Sequence, residues 1–351
     1  MKSKKIYVGD VPIGGGSPIS IQSMTNTQTK DIESTIGQIL ELENSGCEII
    51  RAAVNDEEDA NSFSKIKKHI NIPLIADIQF DYKLAIYAAK NKADCIRVNP
   101  GNIGNKDKVR EIVRACEYYG IPIRIGVNSG SIAKNVLKKY NGVNEKSLLE
   151  SALMEIEVLE SLNFYNTKVA IKSTLVKDTI GANKIFRQIC DYPLHIGITE
   201  SGTKEYGSIK SSVGIGALLS QNIGDTIRVS LTSKPVDEII TAKRILQSLG
   251  IRNFDAEVIS CPTCSRTSID MFKLAKEVEE RALSKINKPI KIAVMGCPVN
   301  GPGEAKEADY GISGAKGKGV IFKKGKILKT VKQEDLLNEL FQIIESDNIN
   351  G

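Results

Sequence analysis

Cys261 and Cys264 in CPTCSRT, and Cys297 in GCPVNGPGE, have a spacing that binds metal. The two motifs follow predicted short strands, Ala256–Ile259 and Ile290–Met295, so the three thiols fall on neighbouring loops. CxxC loops serve both zinc and iron–sulfur sites, and spacing alone leaves the two even. A structural zinc site takes a fourth Cys or His, yet the only histidines, His69 and His195, lie far upstream. Cys47, Cys95, Cys116 and Cys190 fall in predicted strands or helices, where a free cysteine reads as a small buried apolar residue. The nearby fourth donor is a carboxylate, Glu304, seven residues after Cys297. These facts favour a [4Fe–4S] cluster held by Cys261, Cys264, Cys297 and Glu304, with an easily exchanged ligand on one iron. The CxxxCxxC spacing of radical S-adenosylmethionine enzymes is absent.

A second set of residues is basic and lies upstream. Short β-branched runs recur between amphipathic stretches from residue 19 to about 250. They are Ile19–Met24, Cys47–Val54, Pro73–Ile78, Asp94–Asn99, Pro122–Val127, Lys168–Ser173, Leu194–Thr199 and Thr226–Leu231. In or just after their C-terminal halves fall Arg51, Asp77, Arg97, Asn99, Arg124, Asn128, Lys172, Thr199, Glu200, Arg228 and Ser230. One arginine on a strand reads as a salt bridge. Four arginines and a lysine from five different runs read otherwise, because gathering five cations is unfavourable unless an anion is bound among them. Arginine forks suit phosphate oxygens. The turns GVNSGS, with Gly126, Gly130 and Ser131, and KSSVGIGALL, with Gly214 and Gly216, are expected to offer backbone N–H groups to phosphate at helix starts.

These residues need a scaffold that brings strand ends together. Eight strand–helix units over about 230 residues match an α/β fold of the (β/α)8 TIM-barrel type, in which every such position faces one mouth. An open doubly wound sheet is the alternative, but no GxGxxG follows the first strand. The helical pattern is clear in 144–163, where Asn144 caps and Leu149, Leu153, Ile156 and Leu159 share a face. The last barrel helix begins at Pro235 and stops at Gly250. Residues 1–250 are therefore read as a substrate-binding barrel and residues 251–351 as a small α/β cluster domain. The latter would hold two strands, a helix to about Ser284, a hairpin over Gly319–Val331 and a final helix to about Glu345.

Composition excludes several classes. The net charge of +6 suits a small anionic substrate but is too weak to argue for nucleic acid. Trp is absent and aromatics are 5%, which leaves little for a base-stacking platform. Seven scattered cysteines argue against a disulfide framework. MKSKKIYVGD has no apolar run behind its lysines, and no segment approaches a membrane span, so a cytoplasmic protein without membrane association is expected.

CPTCSRT followed by GCPVNGPGEA resembles the paired cluster motifs of the 4-hydroxy-3-methylbut-2-en-1-yl diphosphate synthase family (IspG/GcpE). The resemblance continues through ADIQFDY, IRVNPGN, IRIGVNSGS, GITESG and KSSVGIGALLSQNIGDTIRVSLT, nearly the whole chain. It implies the compact bacterial form, a barrel followed by a cluster domain. The implied reaction is reductive ring opening of 2-C-methyl-D-erythritol 2,4-cyclodiphosphate in the methylerythritol phosphate isoprenoid pathway, with electrons from flavodoxin or ferredoxin. By position in the motifs, Arg51, Arg97, Asn99, Arg124, Asn128, Lys172, Arg228 and Ser230 look like the diphosphate-binding set. Glu200 looks like the catalytic acid, and Asn300 looks like a substrate contact from the cluster domain. Gln79 stands where the family usually has His, so a charged imidazole role there is lost.

Two rival readings belong to other classes: a phosphate-binding barrel with a structural zinc domain, and a non-redox barrel lyase or transferase. Assembly follows from helix geometry. The helix from Pro235 runs antiparallel to the strand before it and, at 1.5 Å per residue, spans roughly 22 Å. It delivers the chain to the barrel face opposite the mouth, with no long linker after Gly250 to return it. A head-to-tail homodimer, each cluster domain capping the partner's barrel, is the expected solution.

Overall fold

The structure is a computed structural model that describes residues 2–286, 288–297, 305–315 and 317–349. The chain divides into two compact units, Met1–Arg252 and Asn253–Gly351. Asn300 and Glu304 lie outside the described residues.

The first unit opens with a two-stranded hairpin, β1 (Ile6–Val8) and β2 (Val11–Ile13). Eight parallel strands follow: β3 (Ser20–Met24), β4 (Ile49–Val54), β5 (Leu74–Ile78), β6 (Cys95–Val98), β7 (Ile123–Asn128), β8 (Thr167–Lys172), β9 (His195–Ile196) and β10 (Thr226–Ile227). They hydrogen-bond in the order β8-β7-β6-β5-β4-β3-β10-β9. A bridge from Val169 to Leu194, with Val169 N–H donating to Pro193 O at 2.8 Å, joins the two ends. The expected (β/α)8 barrel is thus present, and each of the eight predicted runs supplies one strand. Its floor is the β1–β2 hairpin, whose Ile6, Val8 and Ile13 pack on Ile49, Ile75 and Cys95.

Helices start where polar side chains cap them, as Asp31 does for α1 (Ile32–Asn44), although α4 (Pro100–Ile103), α6 (Lys134–Lys139) and α8 (Val176–Ile189) have no side-chain cap. Asp56, Asp81 and Asn105 each accept a backbone N–H at the start of α2 (Glu57–Ile66), α3 (Tyr82–Lys90) and α5 (Lys106–Tyr119). Asn144 caps α7 (Glu145–Glu160) through Lys146 and Ser147, and Ser147 returns a bond to the Asn144 backbone. The buried stripe of α7 runs through Leu148, Ala152, Ile156 and Leu159, and Leu149 and Leu153 are only half-buried. That rotates the buried face from the one predicted from leucine spacing. Gly214 and Gly216 are interior to α9 (Lys204–Leu219), not at its start, so they offer no free N–H to phosphate. Gly214 instead lets α9 approach Ile198 and Val176. The last helix of this unit, α10, spans Pro235–Ser248. Beyond it, the Arg252 guanidinium donates to Ile19 O at 2.7 Å and to both Glu48 carboxylate oxygens at 2.7 and 3.0 Å. Both partners immediately precede β3 and β4, so the unit ends at the floor of the barrel.

The second unit is a five-stranded sheet in the order β11-β12-β13-β14-β15. β11 (Glu257–Ser260), β12 (Lys291–Met295) and β13 (Tyr310–Ala315) are parallel, and β14 (Lys318–Lys323) and β15 (Lys326–Lys332) add an antiparallel hairpin. Helices α11 (Met271–Lys285) and α12 (Leu336–Ile349) bury Val278, Ala282, Leu336, Leu340 and Phe341 against Ile292, Val294, Ile312 and Ile321. β13 is not among the predicted strands. Its YGISGA sequence has little β-propensity, and its glycines are there because Phe322 and Ile269 occupy the space of their missing side chains.

Candidate functional site

At the C-terminal ends of the barrel strands, a cavity of about 240 Å³ is lined by Arg51, Asp77, Arg97, Arg124, Asn128, Lys172, Thr199, Arg228 and Ser230, with Met24 and Gln79. Strand alternation aims the charged residues inward, and register places them side by side. Asp77 pairs with Arg97, Arg97 with Arg124, and Asn128 with Lys172. Two glycines make room for the long cations. A Cβ on Gly126 would lie 2.7 Å from Arg97 Nε, and one on Gly197 would lie 2.8 Å from Lys172 Nζ. Gly126 therefore seats an arginine and does not serve as a phosphate turn.

Asp77 is the hub of this mouth. Its carboxylate accepts from Arg97 Nη1 at 2.9 Å, faces Arg51 Nε at 3.6 Å, and accepts from Gln79 Nε2 at 3.3 Å. Burial pushes its carboxyl up, but the charges of Arg51, Arg97 and Arg124 outweigh that and hold it below the usual range. Gln79 thus supplies a hydrogen bond to Asp77 where a histidine would have brought a titratable ring. Arg51 also donates to Met24 Sδ through Nε and Nη2, at 3.2 and 2.9 Å. Glu238, on α10, faces Arg228 Nε at 3.6 Å and accepts from Ser23 Oγ and Leu231 N–H.

These two carboxylates do not balance the cations. Burial lowers Arg51 to about 10. Burial, then repulsion from neighbouring cations, also pulls Arg124 and Lys172 well below their ordinary values. Nε of Arg97, Nε and Nη1 of Arg124 and Nε of Arg228 have no hydrogen-bond partner among the described residues. Buried, unpartnered and mutually repelling donors are a site made for a multiply charged anion.

Two predicted residues stand apart from the cavity. Asn99 is 3% exposed with Oδ1 unpartnered, and it opens into an adjoining cavity of about 180 Å³ with Ser131 and Glu155. Glu200 is exposed, next to cavity-lining Thr199, with a left-handed backbone at φ 49°. Its loop is fixed by Ser201 Oγ donating to Ile198 O, Ser211 Oγ donating to Ser201 Oγ, and Thr232 N–H donating to Gly202 O. A non-glycine residue held at positive φ by such a frame is strained backbone, which proteins keep where a side chain must point a set way. Met24 is a lining residue that sequence reading missed. Lys168 and His195, which the sequence reading also passed over, do not line the cavity and are fully buried in the barrel lumen below the mouth.

In the second unit, Cys261 follows β11 and Cys297 lies two residues past β12, at the same end of two neighbouring parallel strands. Cys261 is half-buried, Cys264 exposed and Cys297 buried, all as free thiols. Gly296 N–H donates to Cys261 Sγ at 3.1 Å. A backbone hydrogen bond from Arg266 holds the Cys264 thiol below its ordinary range. Among the described residues no three His, Cys, Asp or Glu side chains already form a metal-binding group. The donor set still fits a thiolate-bound cluster in kind, with soft ligands, one thiol biased to thiolate and an N–H aimed at sulfur.

No helix among the described residues is long and apolar enough to cross a membrane. The barrel resembles dihydropteroate synthase from Vibrio fischeri at TM-score 0.51 and 11% identity, over 71% of this chain and 99% of that one. It also resembles 3-dehydroquinate dehydratase from Geobacillus kaustophilus at TM-score 0.50 and 16% identity, over 70% of this chain and 98% of that one. Likeness at such identity speaks for the fold alone. Residues 3–243 match the GcpE TIM-barrel domain and residues 257–346 the GcpE protein C-terminal domain. A protein of Caldanaerobacter subterraneus subsp. tengcongensis, named 4-hydroxy-3-methylbut-2-en-1-yl diphosphate synthase (flavodoxin), is 57% identical over 98% of this chain and 96% of its own. One of the same name from Clostridium perfringens is 54% identical over 98% of this chain and 99% of its own. The chain belongs to the GcpE family of 4-hydroxy-3-methylbut-2-en-1-yl diphosphate synthases.

Proposed function

We infer that the chain converts 2-C-methyl-D-erythritol 2,4-cyclodiphosphate to 4-hydroxy-3-methylbut-2-en-1-yl diphosphate, with two electrons taken up and water lost. The observation that carries this reading is the barrel mouth, where four arginines and Lys172 converge with, among the described residues, Asp77 and Glu238 to balance them. Arg51, Arg97, Arg124, Lys172 and Arg228 hold the diphosphate, and Asn128 and Ser230 supply neutral hydrogen bonds beside them. Asp77 acts one step back by fixing the Arg51 and Arg97 forks. Thr199 lines the wall, and Asn99 contributes from the adjoining cavity. Cys261, Cys264 and Cys297, with Glu304, would hold a [4Fe–4S] cluster, and Asn300 would contact the substrate; Glu304 and Asn300 lie outside the described residues. When bound, that cluster supplies electrons one at a time, from flavodoxin in the relatives as named and in our assignment here. Metal and sulfide analysis of anaerobically prepared protein tests the cofactor. Iron with acid-labile sulfide and absorbance near 400 nm is the expected result, and a colourless zinc protein would overturn it.

The anion site makes its own prediction. Lys172→Ala and Arg124→Ala should each weaken substrate binding by roughly 1.5–3 kcal/mol, about ten- to a hundredfold. The cluster's absorbance should not change. Unchanged affinity in both variants places the diphosphate elsewhere.

Glu200 is the acid we assign to deliver a proton to the departing hydroxyl. Glu200→Gln should bind the cyclic diphosphate within about threefold of wild type and keep a reducible cluster, while turnover falls by about a hundredfold or more. Turnover near wild type in this variant removes Glu200 from the reaction.

A further inference from the structure

Below the mouth, the lumen holds a second polar layer that the reading above leaves unused. The alternation that turns Lys172 inward on β8 also turns Lys168 inward, and Lys168 pairs in register with Arg124 on β7. Thr226 pairs with both Ser20 and His195, which brings those three side chains to one level of the lumen. Lys168, His195 and Thr226 are completely buried and Gln22 is 1% exposed. Yet Lys168 Nζ, both ring nitrogens of His195 and both amide atoms of Gln22 have no hydrogen-bond partner among the described residues. Lys168 itself faces cations and no carboxylate: its charged neighbours are Arg124 and Arg51, with Cys95 as the other titratable neighbour. His195 on β9 faces Lys168, Lys172, Arg124 and Arg51. β3 and β10 add only Ser20, Gln22 and Thr226, which carry no charge.

The charge count of the whole lumen decides what this layer does. Arg51, Arg97, Arg124, Lys168, Lys172 and Arg228 are six cations, and Asp77 and Glu238 are two carboxylates, an excess of four positive charges. An empty lumen out of water cannot hold that excess comfortably, and arginine does not give up its proton. Lysine does. A diphosphate closed into a ring brings one negative charge per phosphorus, which removes the reason for a lysine to stay neutral. We propose that binding of the cyclic diphosphate is coupled to proton uptake by the lumen, and that Lys168, which does not line the substrate cavity, is a group that receives the proton. This rests on the diphosphate reading of the mouth.

The surroundings agree. Burial, with repulsion from Arg124 and Arg51, lowers Lys168 to about 8, so above that pH the ligand-free protein carries a neutral amine there. Burial drives His195 well below its ordinary value, which leaves it a neutral hydrogen-bonding ring and no proton store. Burial raises the Cys95 thiol, so it stays protonated throughout. Burial also lowers Lys172, which takes its own share of the uptake. The sign follows: the bound state raises the affinity of Lys168 for its proton, so the Lys168 share of the uptake is small well below pH 8 and grows as pH rises through it.

Titration calorimetry of the oxidised, cluster-loaded protein with the cyclic diphosphate, at pH 8.5 in two buffers of different ionisation heat, measures the protons taken up. The wild type should take up about half a proton or more per site. Lys168→Met should still bind but lose about half or more of that uptake. Lys168→Gln keeps a polar group in the layer and serves as the second variant. Should neither fold, the wild-type uptake measured against pH decides, since it must rise through pH 8. Uptake in Lys168→Met equal to wild type overturns the proposal, as does wild-type binding with no uptake. No binding heat from the wild type at any pH removes the diphosphate reading as well.

Discussion

Cys264→Ser is expected to yield a folded, colourless protein with no turnover. The exposed Cys264 sits in the loop between β11 and α11, where it contributes nothing to the core. Its N–H donates to Thr267 Oγ1 at 3.1 Å, and Thr267 N–H donates to its carbonyl at 2.9 Å, so the backbone frames the loop whichever side chain is present. Serine is nearly isosteric and keeps that frame, so stability should change by less than about 0.5 kcal/mol. What it removes is the thiolate, since a serine hydroxyl does not ionise near neutral pH and is a poor ligand for soft iron. Iron and sulfide content should fall by about tenfold or more, with activity following. Far-UV circular dichroism separates this outcome from unfolding. Full iron content and activity in a folded Cys264→Ser protein would mean the cluster is not held by this loop.

The sequence shows where its physics is local and hides where it is not. Strand runs such as PIRIGV and KVAIKS carry their β-branched pattern and their end residues together, so β7, β8, Arg124 and Lys172 are all legible. β9 and β10 are two residues long, but flanking chain continues their direction, so Thr199 and Ser230 still reach the cavity as read. The glycines of GIGALL misled because a helix starter and a helix packing contact use the same residue; only tertiary approach to Ile198 distinguishes them. β13 was hidden for the same reason, its glycines reflecting Phe322 and Ile269 and not a turn. Asn99 and Glu200 are read among the strand-end residues of the mouth, and the structure sets one in a second cavity and the other exposed beside Thr199. Lys168 was within reach of sequence reasoning. It lies four residues before Lys172 on one strand, and period-two alternation puts both on one face.

Mixing two inactive variants is expected to restore activity. The barrel's mouth is at the C-terminal ends of its strands, whereas Arg252 ends the unit at the N-terminal ends of β3 and β4. β11 begins at Glu257, so only a few residues separate that anchor from the strand that leads to Cys261 and Cys264. We propose that the mouth is served by a cluster from a second copy, in a head-to-tail two-fold dimer. Lys172→Ala subunits carry a damaged mouth and an intact cluster loop, and Cys264→Ser subunits carry the reverse. If site and cluster come from different copies, a mixed dimer holds one intact pair and one doubly damaged pair. Random re-assembly of equal amounts makes half the dimers mixed, so about a quarter of wild-type activity should return. The assay is run at a substrate concentration where Lys172→Ala dimers alone are silent. The double variant Lys172→Ala/Cys264→Ser mixed with wild type is the control, because its mixed dimers should have no intact pair at all. In a protein whose site lies within one chain the two results exchange: the single variants stay silent together, and the double variant leaves its wild-type partner at full activity per intact chain. Mixed dimers verified by tag and still inactive would remove the shared site.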